Sequence, residues 1–454
     1  MAARDHSLKN SKVISALPAM LVTVPLGVIY YVYTDAPVVS VFVGTFLACL
    51  SAFYAMANCR RREAFLLFAV FAIKFVLTAY QALNKNLPLG GEDWGNYHAG
   101  AQLLIKETNG DIFKMLFFGK RDLFTEICAV IYKIFGVHTR QIYLYVLASS
   151  FVAVNYVFKT VEIMTDGDYI ASSLASIAFA VWPIDIIYSV TYLREMPIQM
   201  LAVMSFYFFI KFIKTRKFTE FVLSFICIAA ACMMHSGVIA LAVLYIVCFS
   251  LREGDSITKV FRFQYLVPVV IVILMLTVTP LWKSMFAKIG DFSSFDDVVE
   301  RAGQFNEDVA NTQYVSALPQ SAWQFIVQAP YRAVLFAFVP LPWMIINFNT
   351  ALSWVLDAVP QVFIVYRMFR LLKMTRRSTK YRLYVSLFVL AVVATYVICG
   401  MGTTAYGNAI RHRAKILPVV LSFVIGLYTH IEEDIRHADA RHGYNSRIQR
   451  RING

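Results

Sequence analysis

Long apolar runs separated by short polar loops dominate the chain. They lie near 13–33, 38–57, 64–83, 142–160, 169–189, 196–213, 220–234, 236–251, 264–282, 350–371, 383–401 and 414–431. Runs of roughly 20 residues match the hydrocarbon thickness of a bilayer, so the pattern predicts about a dozen transmembrane helices. The pair at 220–251 is short for two crossings. Two long segments interrupt the series, at about 84–140 and 283–349. The first contains two runs with one greasy side. Residues 97–108 place Tyr97, Ala101, Leu104 and Ile105 on one helical face, with Gln102, Lys106 and Glu107 elsewhere. Residues 122–135 place Leu123, Ile127, Val130, Ile131 and Ile134 against Glu126 and Lys133. Spacings of three and four predict helices, and beside a membrane such helices lie in the interface.

The second segment is mixed. Its part up to 329 is polar, with Asp291, Asp296, Asp297, Glu300, Glu307 and Asp308. Residues 330–349 are apolar but carry Pro330, Pro340 and Pro342, which interrupt helical bonding and predict a re-entrant or interfacial piece. Orientation follows from the basic clusters. These are Arg60–Arg61–Arg62; Lys214, Arg216 and Lys217; Arg252, Lys259 and Arg262; and the dense run of Arg367, Arg370, Lys373, Arg376, Arg377, Lys380 and Arg382. The positive-inside bias puts all four, and both termini, in the cytoplasm. A crossing at 330–349 would put the densest cluster outside. Segments 84–140 and 283–349 are then the outer loops.

Composition agrees with this pattern. Apolar residues make up 59% and charged residues 15% of the 454 residues, against about a quarter charged in a soluble globule. The expectation is an all-α polytopic membrane protein, with one membrane domain over 1–431 and a charged cytoplasmic tail at 432–454. The first apolar run follows Lys9 and Lys12 without a small-residue cleavage site and reads as a retained helix. The net charge of +14 resides in loop clusters, as orientation requires, so no nucleic-acid partner is implied. Seven cysteines without a CxxC pair imply neither disulfides nor a metal centre. No Walker loop, GxGxxG, HExxH or GxSxG is present, which leaves nucleotide-driven transport and serine hydrolysis without support.

Chemistry concentrates in three places. Glu92 and Asp93 sit in the first outer loop, just ahead of the amphipathic helices. Asp93, with Glu92 assisting, suits a general base for an attacking hydroxyl at the depth of lipid head groups; the competing reading is a solvated turn beside Gly90–Gly91. Arg194–Glu195 falls at the start of the sixth run. Neighbours in a helix do not face one another, so Arg194 is available to a phosphate. The third is Arg411–His412–Arg413–Ala414–Lys415, at the mouth of the last run. Arg411 and Lys415 share a helical face, whereas Arg413 points about 200° around from Arg411 and joins them only if that turn is unwound. Basic groups on the outer side defy the orientation bias. Arg411, Arg413, Lys415 and Arg194 are therefore the candidates for holding a phosphate, against snorkelling to head groups. Tyr97, His98, His412 and Glu195 flank these positions as candidates for touching substrate. Lys74 and Asp185 are costly in a bilayer and fit either an ion pair or a water-lined position. His235 reads mainly as a helix break.

These residues resemble the GT-C superfamily of integral-membrane glycosyltransferases, which use polyprenyl-phosphate sugars. The resemblance rests on Glu92–Asp93, the two helices ending in Ile134–Phe135–Gly136, Pro183 before Tyr188–Ser189 and Arg194–Glu195, and Arg411–His412–Arg413 leading into Ile416–Leu417–Pro418. With two extra spans before the acidic loop, where many members of the superfamily have one, and no soluble domain after the last span, the chain is similar to bacterial envelope or exopolysaccharide transferases and polymerases. It is less like the oligosaccharyltransferases or protein mannosyltransferases. The resemblance implies inverting transfer of a sugar from a polyprenyl-phosphate donor to a glycan or lipid acceptor, outside a bacterial cytoplasmic membrane. No cofactor is required, and a divalent metal on Glu92 and Asp93 is compatible but has no visible second ligand cluster. The alternatives are a polymerase of lipid-linked repeat units and a flippase. A flippase should show internal repeats and more mid-span charge.

Overall fold

A computed structural model of the protein describes residues 2–91, 93–117, 121–249, 251–252, 255, 313–315, 322–376 and 379–437. Glu92, the run at 264–282, the acids from Asp291 to Asp308, and Lys259, Arg262 and Arg377 lie outside the described residues. The rest is a helical membrane bundle. Among the described residues, seven helices are long and apolar enough to cross a bilayer, or nine if each of two bent pairs is one span. Of the dozen expected, the remaining three are the run at 264–282 and the two short members at 220–251.

Helices α1 (Ala2–Thr34), α2 (Val38–Ala57) and α3 (Arg61–Asn84) pack together, with α2 also against α7 (Ile142–Met164). Helix α7 is central, touching α8 (Tyr169–Ala180) and α10 (Glu195–Thr215) as well. Close approach needs small residues: a Cβ on Gly44 of α2 would lie 2.9 Å from Leu144 Cβ of α7. Buried polar side chains pair across helices. Asn58 donates to Asn155 Oδ1 at 2.7 Å, Lys74 to Ser150 Oγ at 3.1 Å and Gln199 to Asp185 Oδ1 at 2.7 Å. Lys74 and Asp185 thus have separate hydrogen-bond partners within the bundle.

The bundle has two chemically different ends. Arg60 donates through its backbone to Tyr169 Oη, Lys214 pairs with Asp166 at 2.5 Å, and Arg216 donates to Phe249 and Leu251 carbonyls. His430 lies between Asp168 and Tyr381 at 2.6 and 2.7 Å. These contacts gather three of the predicted basic clusters at one end. Glu195 begins the 21-residue α10, and Lys214 lies in its last turn, so about 30 Å of helix separates Glu195 from that end. The short pair α11 (Phe218–Met234) and α12 (Ile239–Val247) nevertheless bridges the two ends. Its His235 touches His412, while Phe249 meets Arg216.

The amphipathic helices form where expected, as α4 (Trp94–Glu107) and α6 (Leu123–Phe135), with a short α5 (Ile112–Phe117) between. Helix α6 starts because Asp122 caps it, Oδ1 accepting from Thr125 N at 3.1 Å. It ends at Gly136, whose φ of 98° admits no Cβ comfortably. On α4, Tyr97, Ala101 and Leu104 are buried as predicted. Helix α6 is turned the other way. Its buried face is Phe124, Thr125, Glu126, Cys128, Ala129 and Tyr132, while Leu123, Ile127, Val130 and Ile131 are half-buried and Ile134 is exposed. Periodicity reveals which side is greasy, not which side faces protein, and beside lipid the aliphatic side can face outward.

Pro330 does not interrupt its helix, α13 (Ala322–Phe338). Neighbouring helices can satisfy the bond that a proline forfeits. The break comes later, around Pro340 and Pro342, before α14 (Phe348–Thr375). Helix α15 (Thr379–Met401) follows. Then come α16 (Tyr406–Ala414) and α17 (Leu417–His437), which meet at a 59° bend.

Candidate functional site

Asp93 stands at the N-terminus of α4 but caps nothing there. Its Oδ2 instead accepts from Arg411 Nη1 at 2.5 Å, joining residues 318 apart in the chain. Glu195 is the first residue of α10, where the positive end of the helix dipole favours a carboxylate. Its Oε1 accepts from Arg411 Nε at 2.9 Å and Nη2 at 2.8 Å, and its buried Oε2 has no hydrogen-bond partner among the described residues. The two acids differ in access: the Asp93 side chain is 40% exposed and that of Glu195 only 1%. Arg411 is thus held from below by a buried acid and from above by an open one.

Arg194, one residue before Glu195, turns aside. Its Nη1 donates to the Met234 carbonyl at 2.9 Å and lies 4.0 Å from Asp122 Oδ2, while its guanidinium sits 5.8 Å from the Tyr97 ring centre. The cap of α6 is thereby tied to the start of α10. Lys415, four residues after Arg411, is buried at the bend between α16 and α17 and has neither a hydrogen bond nor an ion pair among the described residues. Burial without a partner drives a lysine toward its neutral amine, and an arriving anion restores the charge. Helix α16 stays regular through Ala414, so Arg413 points away from this group. It donates to the carbonyls of Phe336 and Val339 and pairs with Asp357 of α14. The expected convergence of Arg411 and Arg413 does not occur, because the turn between them is not unwound.

His412 accompanies the group through a chain whose protons can be assigned. Gly237 N donates to His235 Nδ1 at 3.0 Å, so His235 carries its proton on Nε2. That proton points at His412 Nε2, 3.2 Å away, and His412 Nδ1 donates in turn to Thr403 Oγ at 3.1 Å. Tyr97 lies beneath the site rather than in it, buried with its ring edge-on to Phe124 at 5.1 Å and 6.2 Å from Tyr192. Burial pushes its phenol well above the usual value. His98 faces the interior of the α4–α6 pair, with Tyr132 Oη at 3.0 Å and Gln102 at 3.2 Å. Burial, with Lys85 adding to it, holds its imidazole below the usual histidine value.

The structure therefore brings together Asp93, Glu195, Arg411, Arg194, Lys415 and His412, and leaves Arg413, Tyr97 and His98 in packing roles. Sequence reasoning missed Asp122 and Asp357 as partners of arginines, and read His235 mainly as a break. The signal available for Asp357 was an acid inside an apolar run, the same signal that singled out Asp185. Among the described residues, no three His, Cys, Asp or Glu side chains converge in a way that could hold a metal ion. Chemically, two arginines and a buried lysine beside an exposed carboxylate make a place that suits an anionic group.

Comparison with known proteins adds one finding. Residues 124–282, about a third of the chain, match the family of dolichyl-phosphate-mannose-protein mannosyltransferases. The match begins in α6 and runs through α7 to α12. No curated protein and no solved structure matches the chain. The sequence pattern alone had favoured envelope transferases over the protein mannosyltransferases, and the matched segment resembles the latter. Taken with the polytopic helical fold, this match supports an integral-membrane glycosyltransferase of the GT-C type that uses a lipid-linked sugar.

Proposed function

We propose that the enzyme transfers a sugar from a polyprenyl monophosphate to a hydroxyl acceptor, with inversion, at the membrane face opposite its basic loops. The observation that carries this reading is Arg411 held between Asp93 and Glu195, with Lys415 unpaired beside it. Asp93 takes the proton of the acceptor hydroxyl, the oxygen attacks the anomeric carbon, and the bond from that carbon to the phosphate oxygen breaks. The electron pair leaves with the phosphate, where Arg411, Lys415 and Arg194 meet the growing negative charge. Glu195 orients Arg411, and Glu92 precedes the base in the chain. The acceptor is a glycan, a lipid or, as the matched family's description suggests, a protein hydroxyl; mannose is the first donor sugar to try.

Sidedness is supported by the basic clusters at one end of the bundle and the acid–arginine group at the other. Tyr314 bonds to Thr404, and Val339 accepts from Arg413. Both ends of the 316–338 stretch therefore lie in the half of the bundle that holds the site, which supports a re-entrant or interfacial α13. The test is turnover of polyprenyl-phosphate mannose by purified enzyme. Asp93→Asn should fold and insert normally while losing about 10²–10⁴-fold in turnover. Near-normal turnover would move the base elsewhere, with Glu92 next.

A further inference from the structure

The Asp93–Arg411 contact poses a geometric difficulty: Oδ2 of the carboxylate that is to meet the acceptor hydroxyl already accepts a hydrogen bond from Arg411 Nη1. It also occupies the edge of Arg411 that a phosphate would need. Glu195 already takes Nε and Nη2, so Nη1 is the end held by the other acid. Of the two acids, Glu195 is buried at a helix start and cannot leave without stranding its charge. Asp93 is 40% exposed and makes no capping bond that would hold its side chain in place. One partner is fixed and the other is free to go.

We propose that Asp93 is an internal stand-in for the donor's phosphate: the phosphate displaces it from Arg411, and this displacement frees it to act as the base. This rests on the reading of the site given above. Lys415 favours the exchange, because among the described residues it has no hydrogen bond or ion pair that an incoming phosphate must break. The donor's phosphodiester is a monoanion with two free oxygens, which can meet Arg411 Nη1 and the Lys415 side chain together, whereas Asp93 satisfies only the first; the second negative charge develops there as the sugar leaves. Donor binding and activation of the acceptor then become one event. The donor must bind first, and a hydroxyl arriving at an empty site meets a carboxylate that is still occupied.

The experiment is a binding titration with polyprenyl phosphate, the leaving group alone, on full-length protein in lipid nanodiscs. If Asp93 competes for Arg411, then Asp93→Asn and Asp93→Ser should each bind the lipid phosphate about 3- to 10-fold more tightly than the parent, although both are poor catalysts. In an Arg411→Lys background the planar fork is lost, and the gain from Asp93→Asn should largely disappear. Parent-like or weaker binding by both Asp93 variants overturns the displacement while leaving the phosphate site intact. The same gain in the Arg411→Lys background also overturns it, since it would reflect general repulsion. Unchanged binding in Arg411→Ala would instead bring down the phosphate site itself.

Discussion

Arg411 and Arg413 are two residues apart on one short helix, yet their surroundings differ in kind. Arg413 is almost wholly buried, and its guanidinium meets Asp357 and two backbone carbonyls, that of Phe336 in the last turn of α13 and that of Val339 just after it. Arg411 is tied to one buried acid and one open acid, with an unpaired lysine a turn away. Residue type and charge are the same in both places, so neither decides what an arginine in this helix does. What decides is whether any of its partners can be exchanged. A guanidinium whose partners are all buried holds helices in register, whereas one with an exchangeable partner can bind a ligand.

The sharpest way to break this comparison is at Asp357. Asp357→Ala leaves the Arg413 charge buried without its counter-ion and should destabilise the protein by about 3–5 kcal/mol, read as a lower thermal midpoint in detergent. Asp93→Ala, at the open pair, should change that midpoint little, since exposed pairs contribute about 0–1 kcal/mol. Equal destabilisation would erase the distinction between the two arginines. Next is Lys415→Met, which replaces a buried unpaired ammonium by an apolar side chain of similar length. Stability should hold or rise, while affinity for polyprenyl phosphate should fall about tenfold or more, as expected for loss of a charge-assisted contact. Unaltered affinity would remove Lys415 from the phosphate group.

Arg411→Lys against Arg413→Lys sharpens the contrast further. The first should weaken donor binding about 3- to 10-fold, with the fold intact. The second should lower the thermal midpoint and affect donor affinity only through the loss of folded protein. The smallest effect concerns His98. Its imidazole is held below the usual value of 6.5 by burial and by Lys85, so the unfolded chain takes up a proton at a higher pH than the folded one. Its contribution to stability is complete above about pH 6.5 and is lost as pH falls through the lower folded value. His98→Gln should flatten the acid side of the stability profile. An identical profile would show that α4 and α6 do not depend on a neutral His98.

How far these features could be read in advance depends on their range along the chain. Hydropathy located the spans, and local spacing located α4 and α6 to within a few residues, because both signals lie inside a single element. The Asp122 cap and Gly136 stop are local too. Which face of α6 points inward was not legible, since Ile134 and Cys128 exchange places according to what lies beside the helix. The resemblance assigns Asp93 and Arg411 to one reaction, but the direct contact of Arg411 with both Asp93 and Glu195 is not legible, because contacts across hundreds of residues leave no period in the sequence. The separation of Arg413 from Arg411 depended on one turn staying helical, and Pro418 four residues beyond Ala414 gave no indication of that.

That same separation bears on how the enzyme is made. Asp93 and Arg411 lie 318 residues apart, so at translation rates of about 5–20 residues per second, Asp93 emerges some 15–60 s before its partner. Throughout that interval the first loop carries an acid with no arginine to meet it, and the buried seat of Glu195 is likewise unfilled. The candidate site is therefore among the last parts of the molecule to be assembled, completed by the helix that closes the bundle. A chain that stops before Arg411 can insert most of its helices and still leave both acids without their counter-ion.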